Sequence, residues 1–243
     1  MIPCVAPFRE VPYVDDREPP PYNRDKLRYP GIPKDLPRRS TVNDYFCLWS
    51  DTGTLETIHH ALYLQCREQA EREASPTSCI VDSQSVKSAE KGGTRFDPHG
   101  FDGGKSTKGK KRHVLVDTLG RLHARVTLAD VQDRDGGLMV LSTLFGQFPF
   151  LKKLFADNAY AGPVFRDDLA NAMPNLATEI IRRCDQVKGF VVLPKHWIVE
   201  RTIGCLGRCR RLAKDWENLN RSALAFLRLA SIRGMLKKLC NPS

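Results

Sequence analysis

No stretch of this chain approaches the roughly 18 uninterrupted apolar residues that would suggest a transmembrane helix. The N-terminus MIPCVAPFREVPYVDD lacks the basic start and apolar stretch of a secretory signal, which points to the cytoplasm and to no membrane partner. Eight cysteines occur without a CxxC pair, which argues against a zinc ribbon or a thioredoxin-like motif, and in the cytoplasm they read as thiols. Acid is the remaining shortage: 28 Asp and Glu stand against 38 Lys and Arg in 243 residues, a net charge of +10. With 41% hydrophobic residues the chain can still bury a core, so a globular protein with an anionic partner is expected.

The deficit is uneven. Residues 1–76 hold 10 basic and 12 acidic residues, whereas residues 77–243 hold 28 and 16. Two segments concentrate the excess. One is GGKSTKGKKRH, with Lys105, Lys108, Lys110, Lys111 and Arg112 and no acid; the other follows Glu200. A solvated charged face is one reading of such runs, and a polyanion such as DNA is the other.

Composition also divides the chain. Residues 1–39 carry nine prolines and no apolar period, and read as an extended or disordered leader. Residues 40–76 read as two short helices. In the first, Val42, Tyr45, Phe46 and Trp49 share a face, and the second starts near Thr54. From residue 77 to 243, strand-like CIVDS, HVLVDTLG, RLHARVTLA, LKKLFAD, TEIIRRC and GFVVLPK mix with helical DRDGGLMVLSTLFGQF, PVFRDDLANAM, IVERTIGCLGRCRRLAKDW and RSALAFLRLASIRGMLKKL. Such a series predicts an α/β fold, a mixed sheet covered by helices.

Three carboxylates sit where a purely structural role is hard to supply. Asp82 and Asp157 each end an apolar strand, in CIVDS and LFADN, and burying a lone carboxylate is costly. Glu200 opens a helix on which Gly204, Gly207, Arg211 and Lys214 fall within about 40° of it, while Val199, Ile203, Leu206, Ala213 and Trp216 form the opposite, apolar face. The two glycines either admit a neighbouring helix or leave room for a nucleic-acid backbone. Together the acids are the parts of a hard-cation site for phosphoryl transfer, suited to Mg²⁺ or Mn²⁺, with two ions able to serve the attacking and leaving oxygens. Asp117 and Asp133 are explained by turn and capping chemistry.

The segments VDSQSVKSAEKGG, GKSTKGKKRHVLVDTLG, ADVQDRDGG, FADNAYAG and WIVERTIGCLGRCRRLAKDWE, in that order, resemble the DDE transposases of bacterial insertion sequences, of the insertion-sequence family five type. The resemblance spans about residues 29–240. It implies an RNase H-like catalytic domain, with Asp82, Asp157 and Glu200 as the metal-binding triad. It also implies hydrolysis at the element's end, attack of the freed 3′-hydroxyl on target DNA, and a homo-oligomer holding both ends. Lys105, Lys108, Lys110, Lys111, Arg112, Arg208, Arg211 and Lys214 become the expected DNA contacts. Relatives commonly carry Arg four residues before the glutamate and Lys seven after it; here those positions are His196 and Gly207. His196 and Glu200, at i and i+4, have the spacing of two metal ligands, although a packed or solvated histidine is the commoner arrangement. Relatives also have a longer helical DNA-binding region at the front, of which residues 40–76 would be a remnant, or else a cap that packs on the catalytic domain. A catalytically silent DNA-binding relative and a two-metal nuclease without strand transfer are the alternatives.

Overall fold

The structure is a computed structural model and describes residues 36–89, 97–120, 123–144, 146–182 and 195–241. Up to residue 35, the leader lies outside the described residues, as does the strand expected at GFVVLPK apart from Lys195. The chain falls into two units, residues 1–43 and 44–243, with the boundary inside the first helix.

Two helices come first, α1 (Arg39–Asp51) and α2 (Thr54–Gln69), broken at Gly53, whose φ of 75° is left-handed backbone that favours glycine. The face expected for α1 is only partly used. Phe46 packs toward the core and against Phe226, while Tyr45 and Trp49 stay exposed beside each other. Three antiparallel strands follow in sequence: β1 (Ser78–Lys87), β3 (Thr107–Val116) and β4 (His123–Leu128), with a short β2 (Gly100–Asp102) before β3. The helix α3 (Asp133–Ser142) leads to β5 (Lys153–Ala156), α4 (Pro163–Ala172) and β6 (Ala177–Ile180), and α5 (Trp197–Gly207) and α6 (Asn220–Cys240) end the fold.

β3 pairs with β1 along one edge; along the other it pairs with β2 and then β4. β5 and β6 continue the sheet parallel to β1. The order β4-β3-β1-β5-β6, three antiparallel strands followed by two parallel ones, is the mixed RNase H-like sheet that was expected. Among the described residues no helix is long and apolar enough to cross a membrane.

Alternation along the strands divides the core in two. Cys79, Val81, Leu115, Leu154 and Ala156 face a large cluster shared with Leu55 of α2, Val140 and Leu141 of α3, Phe165 of α4 and Met235 of α6. Ile80, Val114, Val116 and Phe155 face the other way, onto Ile198 and Val199 of α5. Each fully buried Val, Leu, Ile, Phe or Met among them contributes about 1.5–3 kcal/mol. Asp82 lies two residues beyond Ile80 and Asp157 two beyond Phe155, so period 2 places both acids on the α5 face.

The basic run of β3 is not a surface patch. Lys110 is 0% exposed, its Nζ 3.6 Å from Asp215 and donating to the Glu217 carbonyl. Arg112, on the same face, donates to the Leu212 carbonyl at 2.7 Å, and burial pushes its pKa down to about 10. Lys111 points oppositely, to Asp133 at 2.8 Å, Asp102 at 3.3 Å and the Val131 carbonyl. The expectation that Lys110, Lys111 and Arg112 contact DNA is therefore corrected. β3 has strands on both edges and covered faces, so its cations neutralise acids inside the protein.

A second correction concerns the helix after Glu200. It ends at Gly207, and a 3₁₀ turn occupies Arg210–Leu212, so Arg211 and Lys214 do not continue the Glu200 stripe. Arg211 folds back instead, donating to Glu217 through Nε at 2.7 Å and Nη2 at 2.6 Å. Ala213 and Trp216, expected on the buried side, are exposed.

Candidate active site

The parallel register Ser78↔Lys153, Cys79↔Leu154, Ile80↔Phe155 fixes the height of β1 against β5. Extended by two residues, it sets Asp82 level with Asp157; β5 stops at Ala156, so Asp157 ends its strand as expected, whereas β1 runs on to Lys87 and Asp82, expected at a strand end, lies within its strand beside the point where β5 stops. Asp157 is held by the turn it caps, accepting a hydrogen bond from the Ala159 N–H at 3.0 Å. Asp82 accepts from the Ser83 N–H at 2.7 Å.

The first turn of α5 completes the arrangement. Ile198 and Val199 dock on Ile80 and Phe155, and the Thr202 hydroxyl donates to the Gly120 carbonyl at 2.8 Å, fixing the helix over the acids. Each of Asp82, Asp157 and His196 offers a ligand atom within 4.8 Å of the other two, a group able to hold a metal ion. Burial pushes the Asp82 carboxyl up to about 6. Asp157 pushes the same way, while the Ser83 N–H, His196 and Lys105 pull against it. Two half-buried carboxylates placed side by side create a demand for positive charge, and an oxygen-rich donor set of this kind fits a divalent ion.

Glu200 stands beside this group rather than within it. Its side chain is 46% exposed, and its Oε1 lies 3.5 Å from Nδ1 of His196, which is buried. Lys105 is the expected cation brought nearest, with Nζ donating to the Ser83 carbonyl at 3.3 Å and its side chain half in solvent. Lys108, Arg208 and Lys214 are exposed, Lys214 over the ring of Trp216. Nothing lies within 4 Å of where a Cβ would stand on Gly204 or Gly207, so neither glycine makes room for a neighbouring helix.

A model of the transposase DDE domain matches residues 73–234, two thirds of the sequence and the whole of the sheet with its acids. The chain belongs to the DDE transposases. No curated protein matches this DDE transposase. Among solved structures it is similar to a chain of the simian T-cell lymphotropic virus intasome, determined by cryo-electron microscopy in complex with the PP2A regulatory subunit B56 gamma. The two are 18% identical with a TM-score of 0.36 over 63% of this chain, which spans about half (48%) of the viral one.

The transposase holds functional candidates that sequence reasoning gave too little weight. His196 joins the acids, although only its i, i+4 relation to Glu200 signalled it. Lys195 covers the Phe155 ring at 4.1 Å, and Arg201 covers Trp197 at 4.7 Å. Both flank the acids on α5 or just before it, and nothing in their spacing marked them.

Proposed function

We propose that this DDE transposase cuts DNA at the ends of a bacterial insertion sequence and joins the freed 3′-hydroxyl to target DNA. One observation carries the reading: Asp82 within β1 and Asp157 at the end of β5 are in register, and α5 brings His196, just before it, and Glu200, in its first turn, beside them. Asp82, Asp157 and Glu200 hold the divalent ions, Mg²⁺ or Mn²⁺, and two are expected. Such ions supply Lewis acidity for the scissile phosphate and a lower pKa for the attacking oxygen.

The chain's own groups position the DNA. Lys105, anchored at the Ser83 carbonyl, places positive charge beside Asp82, and Lys108, Arg208 and Lys214 offer phosphate contacts further out. Bare Gly204 and Gly207 let the sugar-phosphate backbone approach α5 closely. Residues 77–243 form the catalytic domain in this reading, and the helices of residues 40–76 are the remnant of a DNA-binding region. Two copies hold the two element ends.

The test is cleavage and joining of labelled DNA ending in the element's terminal repeat, with Mg²⁺ or Mn²⁺. Joined products that vanish in Asp82→Asn and Glu200→Gln support the proposal. Cutting without joining would make the protein a nuclease, and salt-sensitive binding with neither reaction would make it a silent DNA-binding relative.

A further inference from the structure

His196 occupies the position at which relatives commonly carry arginine, and its surroundings are unusual for a histidine. It is 4% exposed, yet neither ring nitrogen has a hydrogen-bond partner among the described residues. Oε1 of Glu200 is 3.5 Å from Nδ1, too long for a good hydrogen bond. A buried imidazole with both nitrogens unpaired is disfavoured, so the residue has a reason to be there.

Its placement supplies one. His196 immediately precedes α5, whose Val199 and Glu200 amides donate to its carbonyl, and Lys195 before it takes a left-handed φ of 66°. With Ile198 and Val199 anchored in the core, the ring lies with Asp82 and Asp157 in the group spanning no more than 4.8 Å. Ligand atoms about 2.1 Å from one ion lie roughly 3.0–4.2 Å apart in octahedral geometry. A small inward adjustment of the side chains brings all three onto a single ion.

We infer that His196 is itself a metal ligand, with Asp82 and Asp157, and that its nitrogen biases this site toward Mn²⁺ over Mg²⁺. The inference rests on the metal-dependent reading above and deepens it. Mg²⁺ prefers an all-oxygen shell and keeps its waters, whereas Mn²⁺, although the weakest binder of the first-row transition ions, takes an imidazole nitrogen beside carboxylates more readily than Mg²⁺ does. An arginine at this position would offer only donors and exclude itself from the shell.

Binding alone can test this, without DNA or turnover. Mn²⁺ and Mg²⁺ are titrated separately by calorimetry into the full chain, its Asp82→Asn variant and its His196→Gln variant, with circular dichroism confirming the fold. Pulsed electron paramagnetic resonance of the Mn²⁺ complex then looks for nitrogen coupling. The expected wild-type result is nitrogen coupling, with Mn²⁺ bound at least about ten-fold more tightly than Mg²⁺. His196→Gln should lose the coupling and at least about ten-fold in Mn²⁺ affinity, with under about three-fold change for Mg²⁺. Asp82→Asn should lose both ions.

No nitrogen coupling in the wild type, with Asp82→Asn still abolishing binding, overturns the histidine's role and leaves the carboxylate site standing. Coupling that survives in both variants places the nitrogen ligand elsewhere and overturns the inference as well. Binding unchanged in Asp82→Asn overturns the metal reading itself. The wild-type spectrum needs no variant, so a misfolded His196→Gln does not remove the test.

Discussion

Lys110→Met separates the two meanings a lysine can have in a basic run. In the native protein the Lys110 ammonium and the Asp215 carboxylate are 3.6 Å apart, with side chains 0% and 2% exposed. Asp215 also accepts from the Ser88 hydroxyl at 2.9 Å and the Glu217 N–H at 3.3 Å, neither of which neutralises it. Removing the cation leaves the buried carboxylate with only the more distant charge of Arg112, a loss of up to about 3–5 kcal/mol. Replacing Asp215 by Asn as well removes the stranded charge and keeps an acceptor, so the double variant should regain about 2 kcal/mol or more. Urea unfolding followed by far-ultraviolet circular dichroism reads both values, provided the slope of the transition is unchanged. Lys108→Ala, two residues away and exposed, should change stability by less than about 0.5 kcal/mol while weakening DNA binding and reducing its salt dependence. The reasoning fails if Lys110→Met costs less than about 1 kcal/mol, or if the double variant is no more stable than the single one.

Three further outcomes follow from the packing. Burial holds the His113 imidazole down to about 4, whereas the unfolded chain titrates near 6.5; between those values the unfolded state binds the extra proton, so stability falls as pH drops through that window. At pH 5 the loss is roughly 2 kcal/mol, and His113→Gln should remove that part of the difference between urea midpoints at pH 7 and pH 5. A Cβ on Gly136 would collide with the His113 ring, so Gly136→Ala should destabilise by about 1–3 kcal/mol; a thermal-melting loss below about 0.5 kcal/mol would show that the ring can turn aside. Gly204→Ala fills open space inside a helix and should stabilise by up to ~1 kcal/mol, yet reduce strand joining, and full joining by the more stable variant would remove Gly204 from the DNA surface.

The strands were legible because apolar residues alternate or run together, as in CIVDS and LKKLFAD, although β1 continues past the apolar run of CIVDS to Lys87, through polar residues that gave no sign of it. Asp82 and Asp157 stood out for the same reason, being acids set against apolar runs. β2 was not legible, since its three residues, GFD, carry no period. The fate of Lys110, Lys111 and Arg112 was hidden because their partners are scattered along the chain: Asp215 for the first, Asp133 and Asp102 for the second, the Leu212 carbonyl for the third. Only the folded sheet brings them together. Helical arithmetic ran past Gly207 because apolar spacing persists into residues that fold as a 3₁₀ turn. His196 was the hardest to weigh, since burial and absent partners are properties of the packed molecule and leave no mark on the sequence.

The parallel pairing of β1 with β5 also governs when the site comes into being. Asp82 belongs to a hairpin that can close early from neighbouring segments, but Asp157 reaches it only after β2 to β4 and α3 have been threaded between the two strands. His196 and Glu200 arrive later still, just before and within α5, which follows β6 in the chain. A nascent chain on the ribosome thus carries both aspartates without the residues that complete the group, and non-local closure of this kind is slow. Chains terminated before His196 should fold poorly, lacking Ile198 and Val199 from the core, and should carry the two aspartates without the third member of the group.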